Sequence, residues 1–334
     1  MPSISLPAGS HCNLNCGENS IVSERNSSPL LLLPGAVAGE GIDEAVAAHY
    51  GSFLTEQRDL LEAGAFVDHS HRDVFRVTGP DRLDWLHSLT TQYLVGLAPN
   101  VWTDVLILTP QGRIEHSFTG YDDGETLWAH TEPGAGEALI GFLDRMRFMS
   151  RVEVAPVDEL KTIARWHEGV LAWEFVTDLT AAEGTPAGML AHEALRIEAH
   201  IPRFSLDTDD RTIPNEVGLL NTAVHLDKGC YRGQETVARV HNLGKPPRRL
   251  VMLNIDGSTS YLPSNGVEVT FDGKVVGVVG SAARHHELGP IGLALIKRNT
   301  PTEAILMVDG VSAAQDVVVD PDAGLHVRTN VGRA

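Results

Sequence analysis

Residues 225–249, HLDKGCYRGQETVARVHNLGKPPRR, constrain this chain more than any other stretch. Ahead of them helical and strand-like patterns alternate; behind them only short β runs follow, with Pro246-Pro247 at the boundary. Inside the stretch Lys228, Arg232, Arg239, Lys245, Arg248 and Arg249 stand against Asp227 and Glu235, six cations to two anions or +4, whereas the whole chain carries −18. A basic island in an acidic chain points to a site for an anionic group. Gly229 and Gly233 permit tight turns or close backbone approach. From Gln234 to Val240 the pattern is helical, with Val237 and Val240 three apart and Glu235 placed i,i+4 before Arg239. The stretch therefore reads as loop, glycine, helix, with Cys230 just ahead of the helix N-terminus. The positive end of the helix dipole, with Lys228 and Arg232, favours a thiolate there. Cys230 reads as a reactive or ligand-contacting cysteine, against the alternative of a small buried hydrophobe.

Length and composition set the bounds. A chain of 334 residues holds two or three domains, and 43% hydrophobic with 21% charged residues is ordinary for a soluble globular protein. Strong acidity excludes wrapping of duplex DNA, although a local RNA contact at the basic island stays open. Three cysteines make no disulfide framework, which favours a reducing compartment. Without an apolar run of roughly 18 residues or a basic leader after Met1-Pro2, no membrane partner and a cytoplasmic location are expected.

Residues 1–35 read as a disordered extension, because their Ser, Asn and Gly carry no periodicity. Cys12 and Cys16, with His11, are too few for a tetrahedral metal site, and no metal is expected. A helix is expected over 42–64, then strands within 65–78 about the turn Ser70-His71-Arg72-Asp73, then a helix from Gly79-Pro80-Asp81. His69, His71 and His87 read as ordinary polar contacts. Strands follow at 101–110, 114–121 and 126–130, a helix at 136–148, strands at 152–154, 162–166 and 171–176, and a helix at 189–200. Asp207 to Pro214 reads as a solvated acidic loop. Alternating helices and mostly antiparallel strands define an α+β body over 36–247. Short β runs at 250–253, 267–271, 274–281 and 305–308, divided by turns such as Asp272-Gly273 and Asp309-Gly310, imply a small barrel or sandwich over 248–320 and a tail over 321–334.

Lys228-Gly229-Cys230-Tyr231-Arg232-Gly233-Gln234-Glu235, with Arg239 and Arg248-Arg249-Leu250, closely resembles the K-G-C-Y-x-G-Q-E motif of the folate-binding YgfZ family. That family is a branch of the glycine cleavage T-protein, or aminomethyltransferase, superfamily. Leu108 to Ile114 resembles the superfamily's hairpin, Leu195-Arg196-Ile197-Glu198-Ala199 its L-R-x-E-A segment, and Pro214-Asn215-Glu216 its P-x-E. Residues 276–281 and 291–296 resemble its C-terminal barrel. The resemblance covers about 36–310. It implies a T-protein-like folate-binding body of mixed antiparallel sheets and helices, a small C-terminal β-barrel, and tetrahydrofolate in a central cavity. It marks Lys228, Gly229, Cys230, Tyr231, Gly233, Gln234, Glu235 and Arg239 as functional, with Glu198 as the folate anchor. A carboxylate can accept two parallel N–H bonds from an aminopyrimidinone edge. The alternative for Glu198 is a solvent-facing helical residue.

The resemblance further implies an accessory role in assembly or repair of iron–sulphur proteins, linked to RNA modification, with such proteins or assembly factors as partners. One departure stands out. Aminomethyltransferases place a catalytic Asp in a G-x-x-x-D-like arrangement, where this chain has Gly112-Arg113-Ile114-Glu115-His116. Neighbouring strand residues face opposite sides, so only one of Glu115 and His116 can face a cavity. Glycine cleavage is therefore disfavoured. Two active readings follow: a folate-dependent accessory factor using the Cys230 thiol, or a one-carbon transferase using Glu115 or His116 as base. A third is a folate-binding protein without chemistry. A single cysteine cannot supply the four ligands usual for a cluster, so cluster contact would need ligands from elsewhere.

Overall fold

A computed structural model describes residues 27–322 apart from Thr259. Residues 1–26, with Cys12 and Cys16, and most of the expected tail lie outside the described residues. The extension expected to reach residue 35 gives way to ordered chain earlier. Ser28 donates to Asp68 and accepts from the Leu30 amide, capping a 3-10 turn at Pro29–Leu32. Leu30 then packs with Phe66, Ile163 and Leu179, which is burial enough to order this segment.

Two sheets of five and four strands form most of the body, beside a two-stranded ribbon of Val37–Ala38 and Ala47–His49. The larger has the order Thr103–Leu108, Ile114–Asp122, Thr126–Thr131, Asp73–Thr78, Glu153–Pro156, antiparallel throughout. Helices α1 (Phe53–Glu62), α2 (Arg82–Leu89), α3 (Gly136–Arg145), α4 (Met189–Glu198) and α5 (Gln234–Leu243) pack around the sheets. Phe75, Val77, Ile107 and Leu127 of the larger sheet meet Trp85 and Leu86 of α2 and Leu139 and Leu143 of α3 in one core. The second sheet orders Val170–Val176, Lys161–His167, Phe66–Asp68, Pro186–Ala187, and only the last pair is parallel. Its core joins Val67, Ala164 and Trp166 to Leu60 of α1 and Leu195 of α4.

The strands flanking Ser70–Asp73 do not pair with each other. Phe66–Asp68 belongs to the smaller sheet and Asp73–Thr78 to the larger, so His69 and Arg72 sit where the chain crosses between sheets. The helix expected over 42–64 also divides: Ala47–His49 is a strand, and Gly51 at φ 139° breaks the path before Ser52 accepts from the Thr55 amide to start α1.

The third unit is a closed barrel in the order Arg248–Ile255, Gly289–Lys297, Lys274–His285, Glu268–Phe271, Leu306–Val308, Val311–Val317. Asp272 and Gly273 have φ of 50° and 71°, and Asp309 and Gly310 of 49° and 81°, the positive values that tight hairpins need. The last strand, VSAAQDV, has weak β character and was not expected. Closure creates it, because it pairs with both Arg248–Ile255 and Leu306–Val308 and so removes two sheet edges. Ala194 and Ile197 of α4 pack on Leu250, Ile291 and Leu293, fastening barrel to body.

Candidate functional site: a cavity and a separate thiol

A cavity of about 600 Å³ opens between the two body sheets. Asp104 and Leu106 line it from one strand, with Trp102 just ahead of it, Ser117 and Thr119 from the next, and Leu171 and Trp173 from the facing sheet. His192 and Arg196 of α4 and Arg203 beyond it complete the polar wall. Register explains this set: Asp104 lies opposite Thr119 and Leu106 opposite Ser117, so each pair shares one face of the larger sheet.

Three arginines organise the charge. Arg72 donates to Glu132 at 2.8 Å and to His130 Nδ1 at 2.9 Å, with its guanidinium 5.1 Å above the Trp173 ring. Arg203 forks onto Asp43 at 2.6 and 2.8 Å and reaches Glu132 at 3.1 Å and Glu193 at 3.3 Å. Arg196 holds Glu193 and, at 2.9 Å, Asp207. Burial works against charge on Asp43, but the Arg203 fork and His71 outweigh it and hold the carboxyl well below its usual range. For Glu132 and Glu193 too, the arginines outweigh burial and lower the carboxyl.

Three buried histidines beside this network, His69, His130 and His192, are held neutral. Burial, followed by neighbouring positive charge, holds His69 far below its ordinary value; His130 is depressed by burial and Arg72. Burial leads the fall of His192 to about 3. His69 lies 4.5 Å from His192 and 5.0 Å from Trp173 between ring centroids, in edge-to-face contact.

Asp104 differs from the other carboxylates. Thr119 Oγ1 donates to its Oδ1 at 2.7 Å, and among the described residues no Arg or Lys hydrogen bonds to it. Its carboxylate is accessible from the cavity, yet the surrounding protein removes enough hydration to raise its pKa against the Thr119 bond and the Arg72 charge.

No residue of the motif at 228–235 lines this cavity, although Tyr231 packs behind the wall residues Leu106 and Ala223. Lys228 Nζ donates to the carbonyls of His87, Thr90 (2.6 Å) and Gln92 (3.1 Å), clamping the C-terminal end of α2. Tyr231 is buried with Leu106, Leu108, Ala223 and Val237. Gly233, at φ 81°, caps α5 against the hairpin, where an added Cβ would meet Thr109 O at 2.5 Å and Gly112 Cα at 2.8 Å. The Gln234 side chain donates to Lys228 O at 3.3 Å, closing the loop. Gly229 and Cys230 are exposed, and the thiol is free.

No family model matches the chain. An aminomethyltransferase of Nostoc sp. is 33% identical over 309 residues, covering 74% of this chain and 80% of that protein. This chain belongs to the aminomethyltransferase family. With the aminomethyltransferase of Rippkaea orientalis it is 33% identical over 159 residues, which span 47% of this chain and 41% of that relative. The glycine cleavage system aminomethyltransferase T from Bartonella henselae has the same fold, with a TM-score of 0.73 and 16% identity over 85% of this chain and 93% of that one. The expected T-protein-like α+β body with a C-terminal barrel is thus observed.

Within that family fold, several expected site residues stand elsewhere than the cavity. Glu198 is partly exposed, with a carboxylate oxygen 3.1 Å from His285 Nε2 of the barrel, and it does not line the cavity. Glu115 pairs with Arg232 at 2.9 Å, and His116 packs on Phe142 with centroids 5.4 Å apart; neither lines the cavity. Burial, foremost, lowers the pKa of His116. Glu235 and Arg239 are both exposed, and no ion pair joins them among the described residues. Nor does the basic island remain a free anionic site. Besides Lys228 and Arg232, Arg248 binds Asp209 at 2.6 Å and Glu216 at 2.9 Å, and buried Arg249 donates to Gln315 at 2.8 Å. Four of its six cations therefore serve the fold. Sequence reasoning missed Asp104, Glu132, Glu193 and Arg203. Asp104 alone left a signal, as the one charged residue in the strand TDVLIL.

Proposed function

We propose that this protein is a tetrahydrofolate-binding accessory factor that presents the Cys230 thiol to iron–sulphur proteins during their assembly or repair. The observation that carries the reading is the division of labour within 228–235. Lys228, Tyr231, Gly233 and Gln234 are committed to holding the loop, and the residue they display is an exposed, free cysteine outside the cavity. A loop so braced keeps a thiol accessible at low entropic cost.

The cavity suits the pterin of tetrahydrofolate. About 600 Å³ lies within the range of small-molecule sites, Trp102 and Trp173 offer flat apolar walls, and Asp104 and Thr119 offer polar contacts. Bound folate would supply one-carbon carrier chemistry. The chain's own residues would stack and orient the ring, exclude water, and keep charges fixed through Arg72, Arg196 and Arg203. Cys230, exposed and not part of the cavity lining, would act by thiol exchange or as one ligand beside a client's own.

Membership of the aminomethyltransferase family favours a second reading, folate-dependent one-carbon transfer. The bases expected for it, Glu115 and His116, stand outside the cavity, which places this reading second.

The test is complementation of a strain lacking the protein with wild type or Cys230→Ala, both accumulating equally, and assay of a [4Fe–4S] enzyme under oxidative stress. Wild type restores that activity and the alanine variant does not. If neither protein changes it, the accessory reading fails, and turnover of aminomethyl and N-methyl donors by purified protein tests the second.

A further inference from the structure

We infer that Asp104 is the carboxylate with which the cavity recognises its ligand, accepting paired N–H bonds from the edge of an amino-substituted, planar nitrogen heterocycle. The inference rests on the folate reading and deepens it, since the 2-amino-4-oxopyrimidine edge of a pterin is such a group.

The argument begins by elimination. Among the described residues the carboxylates lining the cavity are Asp104 and Glu132. Glu132 is engaged by Arg72 at 2.8 Å and Arg203 at 3.1 Å. Glu193 and Asp43, behind the wall, are likewise held by arginines. Glu198 faces His285 of the barrel. Of these carboxylates, Asp104 alone among the described residues faces the lumen with no cation hydrogen bonded to it.

Its geometry is suited to a two-point contact. A carboxylate offers about four lone-pair sites, of which Thr119 Oγ1 takes one on Oδ1 and fixes the plane of the group. The other oxygen and the remaining lone pair present a flat edge, the complement of an N–H pair on an aminopyrimidinone. Trp102 precedes Asp104 by two residues on the same side of the chain and also lines the cavity. Its ring is braced by Tyr121 at 4.9 Å and Phe175 at 5.0 Å, so it offers a fixed face beside the acceptor edge. A partly dehydrated carboxylate without a cation is costly, and a ligand with two donors offsets that cost where water exchanges in and out.

The experiment is calorimetric titration of wild type and Asp104→Asn with tetrahydrofolate and with its 2-deamino analogue, alongside the Tm of both proteins. Wild type is expected to prefer tetrahydrofolate by about tenfold or more, because the analogue leaves the acceptor edge unpaired. Asp104→Asn turns an NH₂ toward the ligand's donors, so it should lose tetrahydrofolate affinity by a similar factor and show no preference, at unchanged Tm. Equal affinity in the variant, or a wild type that binds both ligands alike, overturns the inference and leaves folate binding standing. A wild type that binds neither overturns the folate reading and this inference together. Should Asp104→Asn fold poorly, Asp104→Ser, which keeps a small polar group opposite Thr119, is titrated with the same two ligands and is expected to lose the preference likewise.

Discussion

Lys228 illustrates how a residue of legible importance can have a role the sequence does not disclose. It stood out as a cation beside a reactive cysteine, and the structure makes it a clamp on three carbonyls at the end of α2. Burial pulls its pKa down to about 8, and the carbonyl dipoles are what compensate the ammonium. Lys228→Met strands those acceptors in a largely buried site, and should cost about 2 kcal/mol in urea unfolding. Cys230→Ala, at an exposed position two residues along the chain, should stay within about 0.5 kcal/mol of wild type. A large destabilisation by the alanine would mean that the cysteine belongs to the frame and is not what the frame displays. Chemical type was legible at both positions; the partner was not, because His87 and Thr90 lie some 140 residues earlier in the chain.

At the scale of elements, the hairpin after Leu108 and the start of α5 are held together by two glycines. Gly112 and Gly233 have φ of 79° and 81°, and each occupies space that a Cβ on the other would need. The sequence marked Gly233 as able to permit close approach and Gly112 as part of a hairpin turn, but not that the two are neighbours. Gly233→Ala introduces a left-handed alanine and a clash with Thr109 O, so a loss of about 2 kcal/mol or more is expected. Hydrogen exchange should then show protection lost first along α5. Retained protection and an unchanged urea midpoint would mean that the two elements are not coupled there. Elements with strong periodicity and turn signals, such as Ile114–Asp122 and Gly136–Arg145, were legible. The strand Val311–Val317 was not, since its β conformation comes from two partners rather than from its own residues.

At the scale of the whole molecule, the cavity wall sets an acid limit. His69, His130 and His192 are buried and neutral in the fold, whereas each binds a proton near pH 6.5 once the chain unfolds. Their folded values are depressed, so the unfolded state gains protons that the folded state refuses. Stability is therefore full above about pH 6.5 and falls below it, by about 1.4 kcal/mol per pH unit for each histidine. Asp43, Glu132 and Glu193 add losses of the same sign only at lower pH, as their arginine pairs are protonated apart. Thermal melts from pH 7.5 to pH 5 should show Tm falling steeply before carboxylates titrate. A flat profile over that interval would show that these rings protonate within the fold.

The sequence by itself determined what is local or carried by residue type. It defined the α+β body and the barrel after Pro246-Pro247, the Asp-Gly hairpins, the loop-glycine-helix around Cys230, and the absence of an acid at the fourth position after Gly112. Tertiary structure decided which of the chemically able residues meet. The chain crosses between sheets over the four residues 69–72, strand register sets Asp104 opposite Thr119, and α4 turns His192 and Arg196 toward the cavity while Glu198 reaches the barrel. Those outcomes depend on contacts between segments tens to hundreds of residues apart, which local periodicity does not encode.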